Sequence, residues 1–234
     1  MRELAKAAKI ILALSLIPLP DAMAQSLAQS APWVGETLWG TKCQGVPQAA
    51  QYMDYRRRHE YGKTSQVEHA HFYPGVEFLS VPQREYLHNI DFTLNWFPNH
   101  HRALNSAIRA RLIENNNFKL LQWPPAECYL QRAVNFAPDD ATVYMLYGIL
   151  LQKMAMPKEA LAQYRKAEAI EPANLQIKYN LGLLLFDLEE YEEAQKYAKQ
   201  VYQQKFPLDG LRRKLSDKGY LITDAKSDQQ VNIR

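Results

Sequence analysis

Six histidines, His59, His69, His71, His88, His100 and His101, all fall within one short stretch of the chain, and imidazoles gathered in this way are the first place to look for chemistry. A metal site is what they could support. His69 and His71 face one side if the chain there is extended, and His100 adjoins His101 at a helix start. Neighbouring histidines do not easily share one ion, however, and no HExxH occurs. The spacing favours structural or helix-capping histidines. A metal-handling protein or enzyme built on His69, His71, His100 and His101 is the alternative.

Other chemistry-bearing residues have similarly plain readings. Arg56, Arg57 and Arg58, flanked by Tyr55 and Tyr61, could track a nucleic-acid strand. The whole chain carries 28 basic and 25 acidic side chains, a balance that argues against gripping phosphates, so a solvated loop or a contact with an acidic protein is expected there. Neither GxGxxG nor GxxxxGK[ST] is present, and no Ser/His/Asp or Cys/His arrangement can be assembled. The carboxylate pairs Glu189-Glu190 and Glu192-Glu193 sit at a turn and a helix start, where negative charge complements the dipole. The residues therefore point to a protein that is not an enzyme and that takes no cofactor.

The elements that must position these residues come next. The chain has 234 residues, 47% of them hydrophobic and 23% charged, enough for a real core and unlike a disordered or polytopic membrane protein. Its start reads as a cleavable signal peptide. Arg2, Lys6 and Lys9 form a basic region, Ile10 to Leu19 is apolar, and Ala22-Met23-Ala24 has the small-x-small pattern of a cleavage site. The apolar run ends at Pro18 to Pro20, short of the ~20 residues needed to span hydrocarbon. Cleavage after Ala24 removes three basic and two acidic side chains and leaves +2 of the +3 net charge. A periplasmic or secreted protein without stable membrane insertion is expected. In an oxidising compartment an even cysteine count favours a disulfide, and Cys43 with Cys128 is the one possible pair; two unrelated buried thiols are the alternative.

An internal repeat organises the rest. With Ala141 at position 1 of a 34-residue unit, Tyr144 falls at 4, Tyr147 at 7, Gly148 at 8, Leu151 at 11, Ala160 at 20, Tyr164 at 24, Ala167 at 27 and Pro172 at 32. The next unit repeats the pattern with Leu181-Gly182, Leu185, Ala194 and Val201, and Ala126, Leu130, Ala133 and Pro138 belong to an earlier one. Small residues at 8, 20 and 27 let two antiparallel helices approach closely, while large ones fill the space beside them. Over residues 126–208 this resembles a tetratricopeptide repeat protein.

The resemblance implies an all-α, superhelical fold. Three repeats are expected, 101–140, 141–174 and 175–208, preceded by a half-repeat helix at 85–98 and closed by a capping helix at 208–221. Residues 25–84 form an irregular segment packing on the repeats, and 222–234 a polar tail. The first repeat is lengthened by a longer turn from Asn115 to Trp123. The segments His71 to Glu77 and Phe97 to Leu104 are similar to stretches ahead of the repeats in a group of exported bacterial tetratricopeptide proteins.

The resemblance also implies a site on the concave face, at positions 2, 5, 9, 12 and 13 of each first helix. Those positions hold Arg102, Asn105, Arg109 and Leu112, then Thr142, Met145, Ile149, Gln152 and Lys153, then Gln176, Tyr179, Leu183 and Phe186. Such a groove would hold an extended peptide or a partner helix. The family's carboxylate clamp for chaperone tails is largely absent, since its slots carry Asn105, Arg109, Leu146, Gln176 and Asn180. The expected partner is a protein or peptide, with a scaffold or adaptor role in cell-envelope assembly. A purely structural subunit of a larger complex is a further alternative, and nucleic acid is not expected.

Overall fold

The computed structural model describes residues 30–45, 52–62, 64–114 and 122–222. The expected leader, most of the long turn after Glu114 and all but the first residue of the polar tail lie outside them. The described residues form ten α-helices: α1 (Thr64–His71), α2 (Pro74–Glu77), α3 (Gln83–Trp96), α4 (His101–Glu114), α5 (Ala126–Phe136), α6 (Ala141–Lys153), α7 (Pro157–Ile170), α8 (Leu175–Asp187), α9 (Tyr191–Gln203) and α10 (Gly210–Asp217).

Helices α4 and α5, α6 and α7, and α8 and α9 pair as hairpins that stack side by side. The first helices α4, α6 and α8 touch one another in a row, with α3, α5, α7 and α9 behind them. This is an all-α, tetratricopeptide-like superhelix. The sequence of α6, ATVYMLYGILLQK, is apolar on nearly every side because neighbours enclose it: α4, α5, α7 and α8 all pack against it. Helix α9 instead segregates Ala194, Tyr197, Ala198, Val201 and Tyr202 to one buried face.

Close approach rests on the small residues. A methyl group added at Gly148 would sit 2.8 Å from the ring of Tyr164, and one at Gly182 would sit 2.6 Å from Leu211. Ala160, Ala167 and Ala194 are fully buried. The hairpin turns repeat as well. Ala155 and Glu189 both adopt left-handed backbone, with φ of 57° and 65°. The following amides of Met156 and Glu190 donate back to Leu151 and Leu185, each at 2.9 Å. These bonds satisfy carbonyls left over at the helix ends.

The two ends of the row are completed by unlike segments. At one end, α2 occupies the place of a first helix in front of α3 and beside α4. At the other, α10 packs on α8 and α9 through the buried Leu211 and Leu215 and shows water its charged side. Residues 31–43 run as a strap along one face of α5. The Leu38 and Glu36 amides donate to the Glu127 and Gln131 side chains, and Arg132 Nε donates to the Ala31 carbonyl at 2.7 Å. Cys43 and Cys128 are joined by a disulfide with their Cα atoms 5.4 Å apart.

Candidate functional site

The histidines occupy the junction between the N-terminal segment and the repeats. His100 is wholly buried at the start of α4. Its Nδ1 accepts the Ala103 amide at 3.1 Å, so the imidazole caps the helix, and its Nε2 donates to Glu68 at 3.1 Å. Tyr55 stacks on the same ring at 3.9 Å. Burial pushes the His100 imidazole below its ordinary pKa, while the hydrogen bond from His100 and the neighbouring Arg102 hold the Glu68 carboxylate below its own. Both ring nitrogens are committed, which leaves no free lone pair for general-base work or metal ligation.

The remaining histidines are spread among different partners. His101 Nε2 meets Asp140 at 2.8 Å, His71 pairs with Asn89 at 2.8 Å and stacks on Phe92, and His69 borders an opening with Glu68, Phe72 and Tyr73. Among the described residues, no three His, Cys, Asp or Glu side chains converge as they would around a metal ion. Arg56 is absorbed into the same junction. It bonds Asp54 at 2.6 Å and Asp139 at 3.0 Å, while Asn99 bridges Asp54 and Asp140. Arg57 pairs with Glu60 and Arg58 lies over Tyr55.

The structure places the predicted concave-face residues in three groups. Arg102 and Arg109 are occupied by the chain itself. Arg102 grips the Glu77 carboxylate, Arg109 donates to the Glu77 and Phe78 carbonyls at 3.1 and 3.3 Å, and Ser106 adds a bond to Glu77 O at 2.8 Å. Tyr179 is 6% exposed and packs on Phe206, 5.0 Å between ring centres, so it belongs to the interior. Asn105 and Lys153 are exposed, and Leu112, Thr142, Met145, Ile149, Gln152, Gln176, Leu183 and Phe186 are half-buried along α4, α6 and α8. The far end of this row is tied by a polar relay in which Gln152 and Lys214 both bond Asp187 at 2.9 Å.

Sequence reasoning missed the Ser106 contribution and the role of α2, since bonds between residues 25 to 32 positions apart leave no periodic trace. It also missed a groove on the other side of α3. Arg84, His88 and Asp91 fall on one stripe of that helix and face Gln122 and Trp123.

The repeat geometry decides the fold type. Gly148 and Gly182, Ala160 and Ala194, and Ala155 and Glu189 are each one 34-residue period apart and hold equivalent places in successive hairpins. The chain is built of tetratricopeptide-like repeats. No family model matches it. Over 100 residues it is 35% identical to the protein O-mannosyl-transferase TMTC3 of Homo sapiens, a match covering 42% of this chain. The chain spans about a tenth of the length of that curated relative. Among solved structures it is similar to TTC0263, a thermophilic TPR protein of Thermus thermophilus, at a TM-score of 0.47 and 19% identity over 58% of this chain and 73% of that one. It is also similar to MamA from Desulfovibrio magneticus RS-1, at a TM-score of 0.46 and 22% identity over 65% and 81% of the two chains. Among the described residues, no helix of these tetratricopeptide-like repeats or their flanks is long and apolar enough to cross a membrane.

Proposed function

We propose that this protein is a non-catalytic, exported scaffold that binds a protein or peptide along the row formed by α4, α6 and α8. The observation that carries the proposal is how α4 holds the chain's own Glu77 and Phe78. Arg102, Ser106 and Arg109, spaced one turn apart, engage main-chain carbonyls and one carboxylate, which are the groups any extended acidic peptide would present. Farther along, Met145, Ile149, Leu183 and Phe186 offer adaptable apolar contact between polar residues. The Cys43–Cys128 disulfide supports an oxidising compartment, in keeping with the signal-like sequence before Ala24 and a place in the cell envelope.

Pull-down from envelope extract tests the binding face. Because Arg102 and Arg109 hold Glu77 and Phe78 while Tyr179 is interior, the informative variant is N105K/L183A/F186A. The scaffold reading expects it to lose partners that the wild type recovers, and equal recovery by both forms rejects it. The amino-terminal residue of the protein isolated from its native cell tests export, with Gln25 expected at the start.

A further inference from the structure

We infer that the groove beside α3 is a binding site for a neutral saccharide. Two openings, of about 540 and 420 Å³, share His88, Gln122 and Trp123 and so form one continuous groove. It lies on the α3 stripe carrying Arg84, His88 and Asp91, away from the α4–α6–α8 row, and is independent of the scaffold reading.

The ligand class follows from what lines the groove. Trp123 is half-buried: it packs against the core cluster that holds Leu87, Ile90 and Tyr129, and it borders both openings. An indole bordering a groove can offer an electron-rich surface to weakly positive C–H groups, such as the axial hydrogens on one side of a pyranose ring. Around it stand groups that both donate and accept hydrogen bonds, the amides of Gln44 and Gln122 and the imidazole of His88.

Asp91 forms part of the wall and is 9% exposed. Its Oδ1 takes the Tyr129 hydroxyl at 2.6 Å, which fixes the carboxylate in place. A fixed acceptor beside an aromatic residue, with the amides and imidazole around it, matches a ring of hydroxyl groups. The charges of Arg84, Glu85 and Asp91 give no cationic excess for a phosphate, and the mainly polar opening at Gln44 and Asp91 beside the more apolar one at Pro82 and Trp123 suits a ligand that is polar at its edge and apolar on its face. The chain just beyond the strap contributes as well. Gly45 borders the groove, and a methyl group added there would sit 2.2 Å from the Trp33 ring, so only glycine lets the chain lie this close to that indole.

The test is titration calorimetry of the full chain with maltotriose, mannotriose, cellotriose and chitotriose. The proposal expects wild-type protein to bind at least one of them. Trp123→Leu should weaken that binding about tenfold or more, and Gln122→Ala and His88→Ala, both at the solvent-facing rim, should weaken it measurably. Trp123→Phe, which keeps an aromatic ring and fills the core, should retain more affinity than Trp123→Leu. Circular dichroism monitors folding, and the rim variants carry the test if Trp123→Leu unfolds. L183A should bind the saccharide as wild type does, which separates this site from the scaffold row. Failure of all four sugars to bind, or binding indifferent to the Gln122 and His88 changes, overturns the proposal.

Discussion

Substituting Gly148 by alanine sets two effects of opposite sign against each other. Glycine inside a helix is about 1 kcal/mol worse than alanine, so on propensity alone the change should stabilise α6. The added methyl, however, would lie 2.8 Å from two atoms of the Tyr164 ring and 3.0 Å from a third. Contacts that short force something to move. The ring has little freedom to do so, being 1% exposed and tethered through its hydroxyl to Gln152 at 3.1 Å. Overpacking a core of this kind costs roughly 1 to 3 kcal/mol, which exceeds the propensity gain at the centre of its range. Gly148→Ala should therefore lower stability by about 1 kcal/mol, read as a lower urea midpoint at unchanged slope. Gly62→Ala, where nothing lies within 4 Å, is the control and should be neutral or slightly stabilising. In a Tyr164→Leu background the Gly148→Ala penalty should shrink, because the two residues share one contact. A Gly148→Ala protein as stable as wild type or more so would refute the close-approach argument.

Three other outcomes follow from the same contacts. Glu127 and Arg111 form a buried pair at 3.1 Å, both under 5% exposed at the side chain, and Glu127 also receives the Leu38 amide. Glu127→Ala strips a buried guanidinium of its carboxylate and should cost ~3 kcal/mol or more by chemical denaturation. The disulfide closes a separation of 85 residues, so Cys43→Ala with Cys128→Ala should lower stability by up to ~4 kcal/mol, and a reductant should produce the same shift in the wild type only. The third outcome concerns pH. His100 is neutral and buried, with its pKa below the ordinary value of about 6.5, so as pH falls through that value the unfolded chain takes up a proton that the folded chain refuses. Its contribution is thus complete above neutral pH and lost on acidification, and His100→Asn, which keeps a cap, should flatten the stability profile between about pH 7 and 5.

Which parts of the molecule the sequence reveals depends on the range of the interactions. The hairpins were legible because Gly148 and Ala160 recur one period later as Gly182 and Ala194, and the pattern is both local and repeated. The capping helix was legible from Leu208, Leu211 and Leu215 on one side of a charged segment, although only Leu211 and Leu215 are buried and Leu208 lies exposed ahead of the helix. The completion of the row by Pro74–Glu77 was not, since four residues carry no periodicity and their place is set by Arg102, Ser106 and Arg109 from a distant helix. Tyr179 shows the converse. Its slot in the repeat marks a concave-face position, but the chain following α9 brings Phe206 onto its ring. An irregular N-terminal segment packing on the repeats, tied by Cys43 to Cys128, was an expectation of the sequence, but the side chains that hold the strap on α5 were not legible, because Glu127, Gln131 and Arg132 recognise its main chain, which has no sequence signature.

Photocrosslinking tests the proposed binding face most directly. A photoreactive amino acid is placed singly at Asn105 or Gln176 on the row of first helices, and at Ala162 or Lys166 on exposed positions of α7, with the full chain expressed in its native cell. The scaffold account predicts discrete crosslinked species from Asn105 and Gln176 and none from the α7 positions. Crosslinks confined to Ala162 and Lys166 would contradict it.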